Sequence, residues 1–144
     1  MSNELLAFID KAKVPSREAW QAAINACGFD LQLDPEMKPM EDSAVSPCTL
    51  MGSASGVEIW YEGDPEFLND FSEINQGRDF CITFRWGGDM GECACASIAS
   101  YVLAKDFGAV VSYQGDGSMS LDELLQGQRK PWKRSRKVAP PDRP

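Results

Sequence analysis

The stretch Phe80-Cys81-Ile82-Thr83-Phe84-Arg85-Trp86-Gly87-Gly88-Asp89 decides the fold. Phe80, Ile82, Phe84 and Trp86 alternate with Cys81, Thr83 and Arg85, the period-two pattern of a strand over 79–86. Gly87-Gly88 then turns the chain. Asp89, with Glu92 three residues on, resembles a capping box and opens a helix over about 89–106. From Cys93 to Ala104 that helix carries no charge and is rich in Ala and Ser. Such a helix can approach a sheet closely, so it is expected to be the central buried helix.

Downstream, 109–113 reads as a strand, and Ser120 with Glu123 marks a last short helix to about Gln126. Upstream, Val57, Ile59 and Tyr61 share one strand face, and Glu58, Trp60 and Glu62 share the other. Residues 48–52 and 57–62 are read as a hairpin around a turn at 52–56. Asp64-Pro65 caps a short helix, with proline at its favoured first position. Residues 34–47, with Pro35, Pro39 and Pro47, are read as one long loop. Phe29, Leu31 and Leu33 alternate with Asp30 and Gln32 as a half-wet strand. Ser16 caps a helix through about Cys27, with Trp20, Ala23, Ile24 and Cys27 at helical spacing and Gly28 as its stop. Residues 3–12, with Leu5, Leu6 and Ile9, are read as a further short helix. The order implies α+β: a mainly antiparallel sheet of about five strands with helices packed on one face.

The chain has 144 residues, which sets one ordinary domain, placed at 1–126. Residues 127–144 form a basic, Pro-containing tail with seven basic groups and one acid, expected to be disordered. Residues 1–126 hold seven basic and twenty-one acidic groups, a net of −14. A body this acidic repels nucleic acid and membranes and attracts basic proteins. No apolar run is long enough to span a bilayer, and Met1-Ser2-Asn3-Glu4 lacks the features of a secretory signal. Five cysteines, an odd number, then favour reduced thiols and a cytoplasmic location.

Catalytic patterns are sparse. Histidine is absent, which removes the commonest general base and metal ligand. No Gly-x-Ser-x-Gly elbow occurs, and Asp64 and Asp89 are assigned to helix caps. Gly87-Gly88-Asp89-Met90-Gly91 sits where phosphate loops sit but lacks their spacing, and Asp89 would repel an anion there. Cys93 and Cys95 point about 200° apart on a helix, so they make a poor ion grip, and Cys27, Cys48 and Cys81 are isolated in sequence. The expectation is a protein without enzymatic activity, metal or cofactor.

The acidic, aromatic-bearing segments carry more. Glu58, Trp60 and Glu62 share a strand face, Asp64 and Glu66 follow, and the proline-rich loop adds Glu41 and Asp42. Aromatic anchors among carboxylates suit a partner bearing Arg and Lys. The alternative for this face is an ordinary solvated surface with Trp60 covered. In the tail, Arg129, Lys130, Trp132, Lys133 and Arg134 offer weak nucleic-acid contact at most, given the charge of the body.

Several segments together resemble a family of small acidic bacterial immunity-type proteins found beside polymorphic or type VI secreted toxins. They are Pro15-Ser16-Arg17-Glu18-Ala19-Trp20, Leu33-Asp34-Pro35, Ser46-Pro47-Cys48, Gly56-Val57-Glu58-Ile59-Trp60-Tyr61-Glu62, and Phe84-Arg85-Trp86-Gly87-Gly88-Asp89 with the helix after it. The resemblance spans residues 15–113. At 43–47 this chain has Ser-Ala-Val-Ser-Pro where the family has Ser-Gly-Phe-x-Pro. The resemblance implies an antitoxin that binds and blocks a cognate toxin. A non-enzymatic adaptor or regulator, binding a basic protein or ribonucleoprotein through the tail, is the alternative.

Overall fold

The computed structural model describes residues 3–41 and 43–125. Seven strands form one sheet: β1 (Asn3–Ile9), β2 (Leu31–Leu33), β3 (Ala44–Leu50), β4 (Ser53–Glu62), β5 (Phe80–Trp86), β6 (Val110–Tyr113) and β7 (Ser118–Met119). Their order is β2-β3-β4-β5-β1-β6-β7, and every pairing is antiparallel. Three helices join them: α1 (Arg17–Ala26), α2 (Pro65–Asn69) and α3 (Met90–Asp106). A further helical turn covers 121–125. The α+β class with an antiparallel sheet is thus the architecture.

The first segment corrects the sequence reading. Residues 3–9 form a strand, not a helix, inserted between β5 and β6 with Leu5 opposite Phe84 and Tyr113. Leu5, Ala7 and Ile9 enter the core beneath α1 and α3, while Leu6 and Phe8 enter a second cluster on the opposite face. An apolar run buried on both sides has no period, so spacing alone cannot separate strand from helix. Because β5 and β6 both run antiparallel to β1, β5-α3-β6 is a split crossover with β1 in the gap.

The hairpin is also tighter than its glycines suggest. The turn is Met51-Gly52 alone, with Leu50 opposite Ser53. Both turn residues have positive φ (51° and 82°), as a two-residue type I′ turn demands. Strand β3 then begins at Ala44, inside the segment read as loop, and takes in Pro47. Pro47 pairs with Gly56 on β4, beyond the reach of β2, whose pairing stops at Cys48. There β3 is an edge, where a missing N–H is tolerated.

Helices α1 and α3 share one sheet face. Helix α3 packs on the sheet with α1 against its side, α1 also meeting β2, and Ala94–Ser100 are buried throughout. Trp20 of α1 fixes the stack: it is fully buried, its indole N–H donates to the Ala99 carbonyl at 3.3 Å, and its ring meets Phe84 edge-on. Asp89 caps α3 through the Gly91 and Glu92 amides, and Ser16 caps α1 through Ala19. On the opposite face, Phe67, Leu68, Phe71 and Ile74 from α2 and the turns after it cover Leu6, Phe8 and Cys81. The rest of that face positions the site.

Candidate protein-binding face

Register decides what stands on the open part of the second face. Glu58 lies opposite Arg85, Trp60 opposite Thr83, and Val45 opposite Glu58. Arg85 in turn lies opposite Glu4 of β1. Four strands therefore place Val45, Glu58, Trp60, Arg85 and Glu4 on one surface. Val45 is 68 % exposed and Trp60 42 % exposed. Trp20 and Trp86 are both core residues, so among the described residues Trp60 is the one exposed indole.

Ion pairs organise the patch. The Arg85 guanidinium contacts Glu4 through Nε at 2.6 Å and Glu58 through Nη1 at 3.7 Å. The Trp60 indole N–H donates to Glu58 Oε2, the same oxygen that faces Arg85. Glu58 is thus engaged within its own molecule and orients the indole. Glu4 and Glu58 share the single Arg85 guanidinium, so this cluster stays net negative, and neighbouring carboxylates along the chain add to it.

Those neighbours continue toward α2. Glu62 Oε2 accepts from the Asp64 amide at 2.9 Å, and Asp64 Oδ1 accepts from the Glu66 amide at 3.0 Å as the cap of α2. Asp64 and Glu66 are exposed at that corner. Glu58, Trp60, Glu62, Asp64 and Glu66 therefore form one continuous run from the sheet face to the start of α2. Glu41 instead lines a shallow groove of about 710 Å³ between the first turn of α1 and the loop at 35–41, with Glu18, Arg17 and Lys38. Asp42 lies outside the described residues, as does the tail with Arg129, Lys130, Trp132, Lys133 and Arg134.

Sequence reading missed Arg85, Val45 and Glu4 as members of this face. The helix read over 3–12 takes in Glu4, the loop read over 34–47 takes in Val45, and the link from Glu58 to Arg85 exists only through strand register. Alternation along 79–86 set Arg85 with Cys81 and Thr83 on one face; of the three only Arg85 is exposed, the other two being buried.

Among the described residues, no three His, Cys, Asp or Glu side chains converge as metal ligands. No helix among them is long and apolar enough to cross a membrane. The closest pair of nucleophiles, Cys48 and Cys95, sits in the core on the opposite side of the sheet. Comparisons with protein-family models, curated proteins and solved structures give no match to this chain.

Proposed function

We propose that this chain is an immunity-type protein that acts in the cytoplasm, binding a basic cognate toxin and blocking it without chemistry of its own. The observation that carries the reading is the exposed Trp60 indole, held by Glu58 on an open sheet face and continued by Glu62, Asp64 and Glu66. An aromatic held in one orientation loses little entropy on binding and serves as an anchor. The surrounding carboxylates attract Arg and Lys that a toxin presents to its own substrate, and so speed encounter. The resemblance to the immunity-type family points the same way. Immunity function demands tight binding, nanomolar or better, or about −12 kcal/mol.

Co-expression with the product of the adjacent gene tests the proposal. The expected result is rescue of growth and co-purification of the two proteins, lost in Trp60→Ala. Failure of the wild-type chain both to rescue and to co-purify would overturn it. Deleting 127–144 separates this reading from an adaptor acting through its tail: protection by the shortened chain supports the sheet face, and its loss supports the tail.

A further inference from the structure

We propose that Cys48 of β3 and Cys95 of α3 form a reversible disulfide when the protein meets a hydroperoxide, stapling the strand to the central helix. The two residues are 47 apart in sequence, yet their sulfurs are 3.1 Å apart in the core. A disulfide needs about 2.05 Å, so an approach of about 1 Å suffices. Cys27 and Cys81 lie elsewhere in the fold, and Cys93, two residues before Cys95 on the same helix, points to another side of it. The arrangement is also polarised. The Cys48 thiol donates to Cys95 Sγ, which lowers the Cys95 pKa, and a hydrogen bond from Ser55 acts in the same sense. Burial, Glu92 and Asp89 oppose that shift. Cys48, as the donor and with burial added, is pushed up. Cys95 is therefore the more readily ionised sulfur of the two and Cys48 the one that keeps its proton, the division that two-step thiol oxidation uses.

Burial selects the oxidant. Cys95 is 1 % exposed and Cys48 9 % exposed, so a hydroperoxide as small as hydrogen peroxide reaches them more readily than a bulky disulfide does. The Cys95 thiolate attacks one peroxide oxygen, the O–O bond breaks, and hydroxide leaves, giving a sulfenic acid at Cys95. The Cys48 thiol gives its proton to that hydroxide, forming water. Its sulfur then attacks Cys95 Sγ and expels the sulfenic oxygen as hydroxide, which takes up the proton released when the Cys95 thiolate formed. The two thiols lose two electrons, and one hydrogen peroxide becomes two waters. The inference stands independently of the toxin-binding proposal, because both cysteines belong to the core beneath α3 and not to the open face.

The test uses the full chain, treated with hydrogen peroxide, quenched with catalase, denatured and alkylated. The wild type has five alkylatable thiols before treatment. The expected result is a fall to three, a peptide cross-link between Cys48 and Cys95, and full recovery with dithiothreitol. In Cys48→Ser, a 1,3-diketone probe is expected to trap the sulfenic acid at Cys95. Cys27→Ala, which leaves the pair intact, is expected to lose two thiols like the wild type. Persistence of all five thiols in the wild type, or a cross-link mapped to any other pair, would overturn the proposal; the wild-type measurement needs no variant to fold.

Discussion

The side-chain amide of Gln21 stands where a neighbouring strand would, donating to the Leu31 carbonyl at 2.8 Å and accepting from the Leu33 amide at 2.7 Å. Arg17 adds bonds to the Leu33 and Asp34 carbonyls. Together they close the outer edge of the sheet, which would otherwise offer unpaired backbone groups to another chain. Gln21→Leu leaves a buried carbonyl and amide without partners. It is expected to lower stability by about 1–3 kcal/mol, read from urea unfolding. Cys81 illustrates the opposite case, a polarisable group sealed away. Burial beneath α2 pushes its thiol up to about 12 from an ordinary 9.0. The folded state therefore holds this proton where the unfolded chain has released it. The resulting stability is complete below about pH 9 and is lost as pH rises toward 12. Cys81→Ala is expected to flatten the fall of the urea midpoint above pH 9, and an unchanged slope would contradict this.

The hairpin and the last helical turn show how much a few positions govern an element. Met51 holds a left-handed conformation that costs an ordinary side chain about 1–2 kcal/mol and asparagine less. Met51→Asn makes the Asn-Gly pair favoured in type I′ turns but gives up the packing of Met51 on the main core. The two effects offset, and stability is expected to change by less than about 1 kcal/mol in thermal or urea unfolding. At the other end of the chain, Ser120 and Glu123 form both halves of a capping box: the Glu123 amide donates to Ser120 Oγ at 3.1 Å, and the Ser120 amide donates to Glu123 Oε1 at 2.8 Å. The turn it starts buries Leu124 in the main core. Ser120→Ala is expected to cost about 1 kcal/mol, with hydrogen exchange rising first around 121–125.

Across the whole molecule, Arg85 is the electrostatic pivot of the open face. Its guanidinium is partly exposed, so the pairs with Glu4 and Glu58 contribute only about 0.2–1 kcal/mol to stability. Arg85→Ala is therefore expected to fold normally while leaving two carboxylates unpaired. If the partner is a basic toxin, association at low salt should quicken and the dependence of the rate on salt should steepen, as stopped-flow mixing would read. Slower association would count against a basic partner. Helix caps and the strand and helix at 80–106 were legible in the residues because each rests on interactions within a few positions. The pairing of Asp89 with its own helix and of Ser16 with Ala19 are such cases. The hairpin turn, read at 52–56, was not, because register with β4 sets it at Met51-Gly52. Residues 3–9 were not legible, because the two clusters that bury Leu5 and Leu6 on opposite sides are assembled from strands more than a hundred residues away. The same limit hid Arg85 beside Glu58 and Cys48 beside Cys95. Local chemistry along the chain determined the α+β class, the helix starts and the acidic, tryptophan-bearing strand. Only tertiary structure decided which side chains stand together, because register and layer packing are set by burial shared among distant segments.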